Sequence, residues 1–246
     1  MKIGLLVAGI LPPTLTEIYA RYGDMYEDLL QDRGFIFRHY DVRNGELPRS
    51  ADEADGWIIT GSKDGVYDDL PWIADLKVCV DGLLNTNAPI VGICFGHQLL
   101  AKVRGGRVEK FNGGWSVGRT AYTLASGQQM HAMAWHQDQV LDLPPDAIRL
   151  GKSEMCENAM MLISGNALGI QPHPEFTANI VKNAVRASTF LPVAIREEAV
   201  KTAAEPVARL AQADVIEAFF KADTRDPKIL RALILDIFAE KEAAWV

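Results

Sequence analysis

A doubly wound α/β fold, with a mostly parallel sheet flanked by helices and a C-terminal helical extension, follows from three features of the chain. Short β-branched runs alternate with longer helical patterns from residue 1 to residue 104, as in parallel strands joined by crossover helices. The apolar run at residues 89–93 passes into helix formers at residues 97–104 through a glycine-flanked junction. From Phe176 onward the pattern is helical throughout, interrupted at Pro192, Pro206 and Pro227.

The elements can be taken in order. Residues 2–10 read as a strand. Residues 14–30 place Leu15, Ile18, Tyr19, Tyr22, Met25, Tyr26, Leu29 and Leu30 at helical spacing, with Gly34 as the stop. Residues 35–42 and 56–60 return as strands, and a Gly/Asp-rich loop occupies residues 61–70. Residues 71–85 are a predicted helix opened by Pro71, which suits a first helical position. Residues 105–124 and 149–170 read as short strands that continue the same sheet. The predicted tail helices cover residues 178–188, 193–203, 206–221 and 227–240. This divides the chain into an α/β domain, 1–189, and a helical extension, 190–246.

Composition narrows the function classes. The chain has 246 residues, 48% of them hydrophobic, enough for a large core. Its net charge of −7 argues against nucleic acid as a partner, since phosphate binding needs a basic face. Three scattered cysteines form neither a disulfide framework nor a zinc-type cluster, so no metal is expected and a reducing, cytoplasmic setting is. The apolar start is closed by Pro12 and Pro13 without a small-residue cleavage site, so a first strand is expected in place of a signal peptide. No apolar run is long enough to span a bilayer, and no membrane partner is expected.

Chemistry concentrates at Cys94. Free cysteines are ordinarily small, buried and inert. This one lies in Gly-x-Cys-x-Gly between a strand and a helix, the layout of a nucleophile elbow. There the helix N-terminus favours the thiolate, and Gly92 and Gly96 let the backbone take strained dihedrals and admit a substrate. A nucleophile needs a base, and the base an orienting group. His173 stands between Pro172 and Pro174 at a strand end, and Glu175 points the same way if the segment is extended. An oxyanion hole needs amide donors: Phe95 follows the nucleophile, and the accessible turn Thr60-Gly61-Ser62 is the best second source.

Together these residues resemble the class I (triad-type) glutamine amidotransferase domain. Gly-Ile-Cys-Phe-Gly-His-Gln (Gly92 to Gln98) and His-Pro-Glu (His173 to Glu175) are its two signatures, and the likeness extends to about residue 185. It is nearest to stand-alone proteins similar to the amidotransferase part of GMP synthase, a group that includes γ-glutamyl peptide hydrolases. The resemblance implies Cys94 as nucleophile, His173 as base and acid, and Glu175 as orienter. It implies an oxyanion hole at Gly61, Ser62 and Phe95, with the Ser62 and Phe95 amides donating. Gln98 and the backbone at Trp135 and His136 would hold a glutamyl group, with no cofactor. Two further stretches, Gly114 to Gly118 and His136 to Val140, also resemble the family. Ser62 replaces a frequent glycine, Lys63 a common proline, and Trp135 the serine of the GMP synthase type, which implies a changed substrate pocket.

Three functions follow for comparison. One is cleavage of glutamine to glutamate and ammonia through a thioester. The second is hydrolysis of other γ-glutamyl peptides or amides, and the third is a non-catalytic binding or regulatory protein. No Walker-type phosphate loop is present, so ammonia would go to a separate ammonia-accepting synthase or be lost. The tail's Phe219, Phe220, Ile229, Leu230, Leu233 and Phe238 suit either the sheet's flank or a homodimer surface.

Overall fold

The computed structural model describes residues 1–241; residues 242–246 of the extension lie outside them. Its strands are β1 Lys2–Val7, β2 Ile36–Asp41, β3 Gly56–Ile59, β4 Ile90–Ile93, β5 Arg107–Lys110, β6 Ser116–Leu124, β7 Gln129–His136, β8 Asp138–Asp142, β9 Ala147–Lys152, β10 Met160–Ile163 and β11 Ala167–Ile170. The α-helices are α1 Asp24–Leu29, α2 Pro71–Leu84, α3 Phe95–Val103, α4 Ala178–Ala187, α5 Val193–Thr202, α6 Arg209–Lys221 and α7 Pro227–Glu240.

Nine strands form one sheet in the order β2-β1-β3-β4-β11-β10-β9-β6-β7. Pairing is parallel from β2 to β11 and antiparallel from β11 to β7. The central strands β3, β4, β10 and β11 are buried at every residue, which is why they read as unbroken apolar runs. Strand β11 lies between β4 and β10, so the last strand among the described residues fills the middle of the sheet. That placement sets residues 171–176 beside residue 94.

Each face of the sheet carries an apolar layer. One joins β-strand residues to Tyr26, Ile180, Phe219, Phe220, Leu230 and Phe238; the other packs Trp57, Ile73, Val80, Phe95 and Leu99. Tail residues Phe219, Phe220, Leu230 and Phe238 are therefore on the sheet's flank, buried, while Ile229 is 56% exposed. Burial of each such side chain stabilises by about 1.5–3 kcal/mol.

Four expectations need correction. The helix read over residues 14–30 is a short 3-10 turn, Pro13–Leu15, then turns, then α1. The Asp24 carboxylate takes the Arg21 N–H at 2.8 Å, which ties the preceding turn to the start of α1, while the Tyr22 ring crosses over Gly9. Residues 129–136 and 138–142, not read as strands, are β7 and β8, and β5 leaves the main sheet to pair with β8 in a separate ribbon. Helix α3 begins two residues before the expected position, at Phe95. Helix α6 begins at Arg209, and the N–H of Ala208 just before it donates to the His131 carbonyl at 2.8 Å.

Candidate active site

Cys94 caps α3 with φ of 51° and ψ of −101°, a region that L-residues rarely adopt. Its N–H donates to the Ile170 carbonyl at 2.9 Å, and its own carbonyl receives the Gln98 N–H at 3.0 Å. The elbow is thus held from both sides, by β11 and by the first turn of α3. The expectation that Gly92 and Gly96 supply strained dihedrals and substrate space is overturned. Neither has positive φ; the strain falls on Cys94 itself. A Cβ on Gly92 would lie 2.5 Å from the Gly96 carbonyl, and one on Gly96 would lie 2.3 Å from the Ile59 oxygen. The glycines let strand and helix backbones touch.

His173 and Glu175 meet across a turn, not an extended segment. The Phe176 N–H donates to the His173 carbonyl at 3.1 Å, and Pro174 occupies the position that favours proline. His173 Nδ1 is 2.7 Å from Glu175 Oε1. The His173 N–H donates to the Met133 carbonyl at 2.7 Å, and its ring stacks on Phe176 at 4.2 Å. Both side chains are buried. Nδ1 faces the carboxylate, which leaves Nε2, buried and unpartnered among the described residues. Burial, the largest influence on the ring, opposes its charge; the Glu175 carboxylate, aided by nearby Cys94, overcomes this and raises the His173 pKa to about 10.

The remaining expected residues surround this group. Gly61 lies against His173, since a Cβ there would be 3.0 Å from its Cε1. The Gly61 N–H is engaged, donating to Tyr26 Oη at 3.1 Å. The Ser62 N–H meets no acceptor among the described residues, and the Phe95 N–H opens α3, where no intrahelical acceptor exists. Thr60 fixes the loop by accepting the Ala8 N–H at 2.9 Å and the Gly9 N–H at 3.3 Å. Cys94 Sγ lies 3.9 Å from the Trp135 carbonyl oxygen. Gln98 Nε2 donates to the Asp138 carbonyl at 2.9 Å and to Gln171 Oε1 at 3.1 Å. His136 is buried, and burial, then neighbouring His173, pushes its pKa down to about 3, so it is neutral.

Sequence reasoning missed Tyr26. Its hydroxyl donates to Glu175 Oε1 at 2.9 Å, yet on the sequence it is one more apolar position of α1, 149 residues from its partner. It also missed Tyr67, which donates to Asp138 Oδ2 at 2.9 Å and ties the Gly/Asp-rich loop to the start of β8. One grouping of metal-ligand type occurs among the described residues, Asp24, Glu27 and His39. It is already satisfied: His39 pairs with Glu27 at 2.5 Å, and Arg21 reaches Asp24 at 2.9 Å and Glu27 at 3.7 Å. No helix among the described residues is long and apolar enough to cross a membrane.

Residues 25–192 match the family model described as glutamine amidotransferase class-I. The chain is 33% identical over 178 residues to gamma-glutamyl peptidase 4 of Arabidopsis thaliana, covering 66% of this chain and 71% of that one. It is 31% identical over 165 residues to one subunit of the glutamine-hydrolysing GMP synthase of Archaeoglobus fulgidus, covering 64% and 85%. The crystal structure of a glutamine amidotransferase from Methylobacillus flagellatus superposes with a TM-score of 0.70 at 20% identity, covering 96% and 94%.

Proposed function

The chain belongs to the class-I glutamine amidotransferase family, and from that premise we propose that it hydrolyses γ-glutamyl amides through a thioester on Cys94. One observation carries the reading: His173 holds Glu175 with Nδ1 and leaves Nε2 unpartnered in a buried site beside the strained, helix-capping Cys94.

In the first step His173 Nε2 holds the proton given up by the Cys94 thiol, and the sulfur attacks the γ-carbonyl carbon. The carbonyl oxygen becomes an oxyanion, received by the Ser62 and Phe95 amides. The tetrahedral intermediate collapses, the C–N bond breaks, and His173 gives its Nε2 proton to the departing amine. In the second step His173 takes a proton from water, the hydroxide attacks the thioester, and glutamate leaves as the Cys94 sulfur is released. Glu175 holds the ring's orientation and offsets its charge throughout. Gln98 Nε2 is committed to protein acceptors, so its Oε1 would accept from the substrate's α-ammonium. The backbone at Trp135 and His136 would receive the other end of the glutamyl group.

With glutamine the leaving amine is ammonia, which a separate synthase protein would consume. A second reading, a γ-glutamyl peptide whose leaving group is an amino acid, is favoured by the likeness to gamma-glutamyl peptidase 4. Incubation of purified protein with glutamine and a panel of γ-glutamyl peptides separates the two. Full activity of Cys94→Ser on any of them would sink the mechanism, and inertness of Cys94 toward γ-glutamyl-mimicking electrophiles would leave a binding protein.

A further inference from the structure

We propose that Tyr26 is a positioning residue for the reaction, its phenol tying the orienting carboxylate of Glu175 to the loop amide of Gly61. The inference rests on the reading of Cys94, His173 and Glu175 as the reacting set.

The direction of each hydrogen bond follows from what each group can do. The Gly61 N–H can only donate, so at 3.1 Å the Tyr26 oxygen accepts. The phenol's single proton is then directed to Glu175 Oε1 at 2.9 Å. That same oxygen lies 2.7 Å from His173 Nδ1. An unbroken chain therefore runs from the Gly61 amide through Tyr26 and Glu175 to the imidazole. Tyr26 is 1% exposed and Glu175 fully buried, so the contact is shielded from bulk solvent. Glu175 Oε2 has no partner among the described residues, which leaves Oε1 to carry both contacts.

Two consequences follow. The Gly61-Ser62 turn, whose second amide is a proposed oxyanion donor, is fastened to the base that protonates the leaving group. The phenol also draws charge from Oε1 and so limits how tightly Glu175 holds the imidazolium. The charged or titratable groups facing His173 are Glu175, Cys94, His136 and the buried Tyr22 phenol, and of these Glu175 shares one oxygen between Tyr26 and the imidazole. A tyrosine that merely filled space would have no such effect. Tyr40 provides the comparison: it too is buried and donates to a carboxylate, Glu53, at 2.9 Å, but in the opposite apolar layer.

The test compares Tyr26→Phe with Tyr40→Phe in the full chain. One readout is kcat and KM on the best γ-glutamyl substrate of the panel; the other is the His173 titration in ligand-free protein, followed by imidazole nitrogen NMR. For Tyr26→Phe, kcat/KM should fall about tenfold to a hundredfold, mostly in kcat. The His173 titration should move upward, because the carboxylate no longer shares its charge. Tyr40→Phe should move neither. Difluorotyrosine placed at position 26, a stronger donor, should move the titration downward, and it carries the test if Tyr26→Phe does not fold. Tyr26→Phe activity within about twofold of wild type overturns the proposal, and so does a change in one readout without the other. If no γ-glutamyl compound is cleaved, the substrate reading fails, while the titration, read without substrate, still decides the role of Tyr26.

Discussion

A methyl group on Gly96 would stand 2.3 Å from the carbonyl oxygen of Ile59. The start of α3 therefore rests on the end of β3, backbone against backbone, and no side chain is available to yield. Gly96→Ala must push the helix away and carry Cys94 with it. We expect a stability loss of about 1–3 kcal/mol, read by urea unfolding. Hydrolysis of the best γ-glutamyl substrate should fall more than about tenfold, since displacement of a reacting atom is costly.

Cys94 carries the elbow's strain, at φ 51°. Such a conformation costs about 1–3 kcal/mol in a side-chain-bearing residue, and glycine escapes it at an entropic cost of about 0.5–1 kcal/mol. Cys94→Gly should thus be more stable than Cys94→Ala by about 1 kcal/mol, and both should be inactive. Matched thermal melts decide this. Equal stabilities would mean that the turn is not strained.

Glu175→Gln keeps the shape of the turn but removes the charge that offsets the imidazolium. The kcat should drop on the order of a thousandfold or more, by analogy with other base-orienting carboxylates. The His173 pKa should fall from its raised value, because burial then acts with little opposition. Steady-state kinetics and a histidine titration check both.

Acid should destabilise the fold through two buried neutral histidines. Burial lowers His97 to about 4 and His136 to about 3, from 6.5. Below 6.5 the unfolded chain binds protons that the folded chain refuses, so stability declines as pH falls through this window. His173 has the opposite sign. Its raised pKa stabilises fully below 6.5, and that contribution is lost as pH rises through about 10. Urea midpoints should therefore rise slightly from pH 8 to about 6.5 and then decline toward pH 5, and His97→Gln should reduce the slope of that decline by about one proton.

Removing the extension should not leave a well-folded remainder. Phe220 packs against Gly56 on β3 and lies 5.8 Å from the Phe35 ring, and Arg33 pairs with Asp214 at 2.7 Å and with Glu217. A chain ending at residue 189 uncovers this layer and should be insoluble or bind hydrophobic dyes. A soluble, cooperatively melting product would instead support a self-sufficient α/β unit.

The fold class and the Cys94, His173, Glu175 group were legible because each is announced locally. Strand-then-helix texture and glycine spacing mark residue 94, and paired prolines mark residue 173. What escaped depends on distant partners. Tyr26 is distinguished from its apolar neighbours only by a carboxylate that arrives 149 residues later. The role of Gly96 was misread because the crowding atom belongs to Ile59 on another strand. The early helix was overextended because periodicity registers Tyr19 and Tyr22 as helical spacing, whereas the Tyr22 ring packs over the distant Gly9. The separate β5–β8 ribbon leaves no local trace at all.

Strand β11 enters between β4 and β10, and this has a consequence for the order of assembly. The Cys94 N–H finds its acceptor only when Ile170 arrives, and His173 follows three residues later. A nascent chain that has emerged as far as β9 holds Cys94 but neither His173 nor the neighbouring strand that fixes the elbow. Pairing across such a sequence separation is a late event in folding. On the reading proposed above, the thiol gains its partner for proton exchange only as the sheet closes at its centre, with the helices that cover the sheet's flank still to follow in the chain.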